Sequence, residues 1–287
     1  MELNIYLNRM RKINFKISAA DNGRRIKDYL RNFGVSSALL TKLKQTENGI
    51  TVNGEFARAI DILREGDTLS ISVENKGHMP APLDIPLDIL YEDEDLIAVN
   101  KPPFMPVHES RNHIGDTLSN AIAAHIAEDT AFRAVYRLDR DTSGIVLIAK
   151  NPLAAAKLAG RVKKDYYAIV KGEITQSGVI DAPIARLDSS IIKRCVAEGG
   201  ERAVTHYEPI ETKNGLTLLK INLETGRTHQ IRVHFSHMGF PLLGDTLYGG
   251  EDERLNRQAL HCKDIYFIHP ITGADIHITC PFPDDFH

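Results

Sequence analysis

The nine residues Tyr136-Arg137-Leu138-Asp139-Arg140-Asp141-Thr142-Ser143-Gly144 run without a spacer into Ile145-Val146-Leu147-Ile148-Ala149. Two carboxylates, two arginines, two aliphatic hydroxyls and a glycine just ahead of a β-branched apolar run predict a polar turn entering a buried strand. Functional side chains concentrate in such turns, because the strand holds them still. Asp139 is the best nucleophile or base here, and if residues 137 to 139 are extended it shares a face with Arg137. Thr142-Ser143-Gly144 is not a GxSxG elbow, which sets a serine triad aside. On residue types alone two readings stay open: Asp139 does chemistry, or it ties down its own loop through Thr142 and Ser143.

The rest of the chain has to bury that strand, and 287 residues with 43% hydrophobic content are enough for one large domain and a small one. No apolar run approaches the roughly 18 residues that span a bilayer, and the polar start lacks the apolar stretch of a signal peptide. No membrane partner and a cytoplasmic address are therefore expected. Cys195, Cys262 and Cys280 are few, odd in number and far apart, which suits reduced thiols better than a disulfide framework or a zinc site. A formal net charge of −3 gives no overall basic signal, so nucleic-acid binding has to rest on local patches.

From Met1 to about Ala20 the chain carries Arg9, Arg11, Lys12 and Lys16, with Ile13, Phe15 and Ile17 at alternate positions; a first strand or a solvated edge would both fit. From Gly23 to Val73 the pattern predicts a helix over Arg24 to Phe33 and a second helix capped by Ser36-Ser37. An Asn53-Gly54 hairpin and a Gly66-Asp67 turn into another strand follow. The proline-rich 76–87 segment reads as a linker. The large domain, 88–287, opens on a strand ending at Lys101-Pro102. A helix through Leu118, Ile122 and Ile126 is capped by Asp116-Thr117, another spans Pro152 to Arg161, and Tyr166 enters a strand. Several strands separated by glycine and asparagine turns occupy 174–223. Thr228 is predicted to cap a helix with Ile231, Phe235 and Met238 buried, Arg232 in its first turns and Gly239 as its stop. Many short strands with few helices imply an α+β domain around a mixed, mostly antiparallel sheet.

Metal and cofactor chemistry find little support. On a helix His229 and His234 would point about 140° apart, against a zinc site. Gly244 to Gly249 lacks the lysine and the spacing of a phosphate loop, and no strand-GxGxxG-helix unit occurs, so neither ATP nor a nicotinamide is required.

Several stretches in order carry a resemblance: Asn100-Lys101-Pro102, Val107-His108, Arg137-Leu138-Asp139 with Thr142-Ser143-Gly144, Gly226-Arg227-Thr228-His229-Gln230-Ile231-Arg232-Val233-His234, Gly239 to Gly249, and Ala259-Leu260-His261. Together they resemble the RluA-type family of pseudouridine synthases over about 88 to 283. The 23–73 order likewise resembles the α-L RNA-binding module of a ribosomal small-subunit protein, which many family members carry. In that module Arg24, Arg25, Lys42 and Lys44 would contact phosphates, although Glu47, Asp61, Glu65 and Asp67 also fit an ordinary solvated face.

The resemblance implies a pseudouridine synthase fold, no cofactor and RNA as partner: large-subunit ribosomal RNA, with transfer RNA as the alternative. It makes Asp139 the nucleophile that lets uracil detach, rotate and rejoin ribose through C5. Arg137 helps hold the rearranged RNA, Tyr166 lines the base pocket and is a candidate for proton transfer, and Arg232 pairs with the aspartate beside Ile231. Leu138, Lys101, His108, Thr142 and Arg227 complete the implied substrate surroundings, no metal is needed, and a monomer is expected. A nucleophilic carboxylate in a pocket dry enough for uracil needs a facing cation. Extruding the base costs a few kcal/mol of unstacking that the pocket must offset, and an aromatic face suits that. Arg232→Ala is expected at this level to spare the fold and lower activity. Tyr136, where many relatives have histidine, departs from the family beside the site; Pro103-Phe104 and Glu109 depart further off. A non-catalytic ribosome-assembly factor, or a glycosidase using Asp141 as second carboxylate, are the competing readings.

Overall fold

A computed structural model describes residues 10–110, 113–126 and 130–286; Arg9 lies outside them. β1 (Met10–Lys16) settles the choice left by the alternation at its start. Ile13, Phe15 and Ile17 are all buried, because β1 lies antiparallel to β4 (Thr68–Glu74) and turns its odd-numbered side chains inward. Helices α1 (Ile26–Phe33) and α2 (Ser37–Gln45) cover that face. α1 starts two residues later than its sequence predicts, since the backbone at Arg24 and Ile26 pairs with Leu63 and Asp61. Ser36 caps α2 by accepting from the Leu39 N–H at 3.1 Å. β2 (Ile50–Val52) and β3 (Glu55–Phe56) are joined by Asn53 and Gly54 at φ 53° and 89°, the two left-handed positions a tight hairpin demands. The four-stranded sheet runs β1-β4-β2-β3.

The larger unit begins with β5 (Ile89–Glu92), β6 (Leu96–Lys101) and α3 (Leu118–His125), whose Thr117 cap and Asn120 close a capping box. Next come β7 (Ser143–Ala149), α4 (Pro152–Leu158) and β8 (Lys163–Lys171). β9 (Gly178–Asp181) leads to the two-stranded ribbon of β10 (Ile184–Arg186) and β11 (Arg194–Val196), then to β12 (Val204–Lys213) and β13 (Leu216–Leu223). α5 (Gln230–His237), β14 (Leu260–Ile268) and β15 (Asp275–Thr279) close the chain. The large sheet runs β5-β6-β7-β14-β8-β13-β12-β9, with β15 on β14. It is mixed and mostly antiparallel: among the described residues its parallel pairing is β7 with β14, through Ser143 with His261 and Gly144 with Cys262. Gly144 sits at φ 112°, and a Cβ there would lie 2.2 Å from the Cys262 carbonyl oxygen, so glycine is required where the turn joins the sheet. All seven residues of β7 are buried, as the unbroken apolar run predicts.

The units are packed together. Leu153 of α4 enters the small unit's core, the Lys157 ammonium lies 3.5 Å from the Phe33 ring centroid, and Arg11 donates twice to Asp95 at 2.9 Å. The 76–87 segment has no helix or strand, yet Asn120 holds the Ala81 carbonyl at 2.8 Å and Phe132 N–H reaches the His78 carbonyl at 3.3 Å. Arg11→Ala is expected to cost about 1.5–3 kcal/mol, because Asp95 would keep Asn151 but lose its cation. Thermal unfolding is the check; an unchanged midpoint would show that this contact does not hold the units together. No helix among the described residues is long and apolar enough to cross a membrane.

Candidate active site

The 136–142 turn is held in place by other parts of the fold. Lys101, fully buried at the end of β6, donates to the Pro102 and Arg140 carbonyls at 2.7 and 3.0 Å. Gln258 donates to the Thr142 hydroxyl at 3.1 Å, and the Ser143 hydroxyl meets His261 at 2.9 Å. Tyr136 donates its own hydroxyl to the Ile145 carbonyl at 3.0 Å. The Asp139 carboxylate therefore does not staple the turn: Thr142 and Ser143 spend their hydroxyls elsewhere. Among the described residues the one hydrogen bond it accepts comes from α5, where Arg232 Nη1 reaches Oδ2 at 3.1 Å.

Arg232 is anchored from behind. Its Nε and Nη2 donate to the two oxygens of Asp245 at 2.7 and 2.9 Å, and Asp245 is 1% exposed. Burial alone would lower the guanidinium's pKa, but the Asp245 bonds and charge, joined by Asp139, raise it overall. One rigid fork thus bridges a buried carboxylate and a carboxylate facing the cleft.

α5 begins differently from the sequence expectation. Thr228 is exposed, and the cap position belongs to His229, in left-handed backbone at φ 57° and without a side-chain cap bond. The preceding loop is closed from inside the helix: Gln230 accepts from the Thr225 hydroxyl at 2.8 Å and the Arg227 N–H at 3.0 Å. Spacing could not reveal this, because an inward glutamine looks like any helical polar residue. Ile231 and Phe235 are buried as predicted; Met238, at the helix end, is 36% exposed instead.

An open cleft of about 800 Å³ is lined by His108, Tyr136, Arg137, Asp139, Tyr166 and Arg227, among others. Adjoining it, a smaller cavity of about 90 Å³ is walled by Leu138, Asp139, Thr142, Tyr166, Ile231 and Arg232. Nine of the ten candidate residues are therefore brought together. Lys101 is the correction: it lines neither cavity, and its ammonium is occupied by loop carbonyls. Tyr166 is 6% exposed, and burial, with Cys262 and Asp139 nearby, raises its pKa far above the ordinary phenol value, so it presents a neutral ring. Tyr136 forms part of the wall, with the Lys164 ammonium 4.6 Å from its ring centroid. Asp245, Tyr248 and His229 are functional candidates that residue spacing did not mark.

Two other clusters offer no chemistry. Asp93, Asp95 and His269 come together, but His269 Nε2 is bonded to Asp93 at 2.8 Å and Arg11 and Asn151 occupy Asp95. Cys280 lies 3.2 Å from His261, yet burial pushes the thiol up to about 12 and the imidazole down to about 4.

Burial also pulls the Lys101 ammonium down to about 7, against the support of Asp141 and Asp139. Between that value and the ordinary lysine pKa of about 10.4 the unfolded chain binds the extra proton. Stability conferred on the fold therefore rises with pH across this window. Lys101→Met should abolish that rise, seen as wild type gaining on the variant between pH 7 and pH 10 in chemical denaturation; parallel curves would contradict a desolvated lysine.

A mixed sheet whose parallel junction presents an aspartate, backed by an arginine and a buried tyrosine in an open cleft, defines a carboxylate-centred site. A family model described as RNA pseudouridylate synthase matches residues 95–237. The uncharacterized RNA pseudouridine synthase YjbO of Bacillus subtilis is 42% identical over 91% of this chain and 96% of its own length. Ribosomal large subunit pseudouridine synthase D of Pseudomonas aeruginosa is 39% identical over 83% and 81%. Among solved structures, human RNA pseudouridylate synthase domain containing 1 superposes with a TM-score of 0.60 at 26% identity, over 73% of this chain and 89% of that one. The chain belongs to the RluA-type family of RNA pseudouridine synthases, isomerases that convert uridine in RNA to pseudouridine.

Proposed function

We propose that this enzyme isomerises uridines of large-subunit ribosomal RNA with Asp139 as nucleophile. The observation that carries the reading is the Asp139 carboxylate lining the cleft, bonded at 3.1 Å by an arginine that is itself anchored on a buried aspartate. A carboxylate oxygen attacks ribose C1′ while the C1′–N1 bond breaks and its electron pair leaves with uracil. The base turns, C5 bonds to C1′, and the carboxylate is released; C5 then loses a proton and N1 gains one, so atoms and charge balance without an oxidant or a cofactor. Tyr166 supplies the face on which the extruded base stacks, Leu138 and Ile231 keep its surroundings apolar, and Arg137 at the exposed lip, with His108 and Arg227, meets the rearranged strand. Asp141, the second carboxylate a glycosidase would need, pairs with Arg140 at 2.6 Å and lines neither cavity.

The ribosomal target is supported by the relative named ribosomal large subunit pseudouridine synthase D. In this reading residues 1–75 act as an α-L RNA-binding module, 76–87 join it to the 88–287 catalytic domain, and the protein works as a monomer. Arg25, Lys42 and Lys44 are exposed and able to follow a phosphate backbone, whereas Arg24 is paired with Asp21 at 2.6 Å and is the weaker contact. Mapping pseudouridine in total RNA from cells with and without the gene tests the target: loss of sites in large-subunit ribosomal RNA is expected, and loss confined to transfer RNA would move the assignment there.

A further inference from the structure

The loop ahead of α5 holds a second group aimed at Asp139. His229 keeps left-handed backbone, φ 57° and ψ 20°, a conformation that disfavours a non-glycine residue. This conformation accompanies an imidazole that reaches inward between the cleft and Tyr248, with the rings edge to face at a centroid distance of 5.7 Å. The hydrogen bonds around it favour one tautomer. Tyr248 Oη accepts from the Arg194 N–H at 2.9 Å, which directs the phenol proton toward His229 Nδ1, also at 2.9 Å. Nδ1 is thereby the acceptor, Nε2 carries the hydrogen, and Nε2 faces Asp139 Oδ2 at 3.8 Å. Arg232 bonds the same oxygen.

We propose that His229 is a positioning residue which, together with Arg232, converges on Oδ2 of Asp139 and leaves Oδ1 as the attacking oxygen. The inference rests on the reading of Asp139 as nucleophile. Once Oδ1 bonds to C1′, Oδ2 becomes the ester carbonyl oxygen, still accepting from Arg232 and faced by the His229 N–H; when C5 displaces the carboxylate, both donors meet the returning charge. The 3.8 Å separation closes to a hydrogen bond as the occupied site tightens. His229 acts as a neutral donor. Burial lowers its pKa below the ordinary value, Asp139 and Asp245 oppose that, and Arg232 and Arg194 add to it. Protonation would place a hydrogen on Nδ1 against the Tyr248 proton, so activity falls on the acid side as His229 charges.

The test uses the full-length enzyme in single turnover on a transcript carrying the uridine mapped in cells. His229→Asn keeps a residue that tolerates left-handed backbone but cannot bridge Tyr248 and Asp139. It is expected to slow the reaction about 100-fold with RNA affinity and thermal midpoint unchanged, and to remove the acid limb of the pH–rate profile. Tyr248→Phe, which keeps the ring, should shift that limb to higher pH, because the imidazole no longer has to surrender a bond to be protonated. Wild-type rate and pH profile in both variants would overturn the proposal, as would an acid limb unmoved in Tyr248→Phe if His229→Asn loses stability. Asp139→Asn in the same assay separates the two readings: an active Asp139→Asn enzyme removes the nucleophile itself, whereas an inactive one beside a fully active His229→Asn enzyme removes only the role of His229.

Discussion

Asp139→Asn is expected to abolish pseudouridine formation, by on the order of 10⁴-fold or more, while leaving the fold and RNA binding in place. The amide oxygen can still accept from Arg232 Nη1, and Arg232 keeps both bonds to Asp245, so no buried charge is stranded. An amide cannot take up C1′ and release it again as a stable anion, so the loss lies in the chemical step. Formation of pseudouridine within a purified transcript is the measurement, with Asp139→Ala run beside it. Turnover retained in both variants would sink the mechanism, and loss of RNA binding in both would show that the carboxylate serves the complex instead of the reaction.

Arg232→Ala should damage both activity and stability. The sequence-level expectation of a spared fold is revised by Asp245, which is 1% exposed and would keep only the long Leu247 and Tyr248 backbone bonds at 3.2 and 3.3 Å. Removing one member of a buried pair typically costs about 3–5 kcal/mol, here a fall of roughly 10 °C in thermal midpoint. Arg232→Lys should recover part of the stability but little activity, since a single ammonium cannot bridge two carboxylates with the geometry of a guanidinium fork. Calorimetry and single-turnover kinetics on both variants decide this; a midpoint unchanged in Arg232→Ala would mean that Asp245 is not held by the arginine.

Much of the architecture was legible in the chain. The strand run over 145–149, the Ser36 and Thr117 caps, the Asn53-Gly54 hairpin and the mixed sheet follow from period, turn chemistry and length, which are local properties. The errors fall where a partner that spacing does not reveal, distant or local, overrules the expected preference. Arg24 and Arg25 sit outside α1 because their backbone pairs with residues nearly 40 positions on, and Thr228 loses the cap because Gln230 closes the loop from within. Lys101 matched a pattern that suited substrate binding, but burial turned its ammonium onto loop carbonyls.

The same division runs through the site. Sequence alone determined that a carboxylate would stand at the mouth of a buried strand and that an arginine, a tyrosine and apolar residues would follow in a given order. It could not decide whether Asp139 held its own loop or faced a cleft, since both uses ask for the same residue types at the same spacing. Tertiary structure decided it by placing Gly144 against Cys262, which brings β14 beside the turn, and by carrying α5 over so that Arg232 and His229 reach one oxygen of Asp139. Charge pairing and desolvation act through distance in space, and residues 93 positions apart in sequence meet at 3.1 Å only after the sheet has formed.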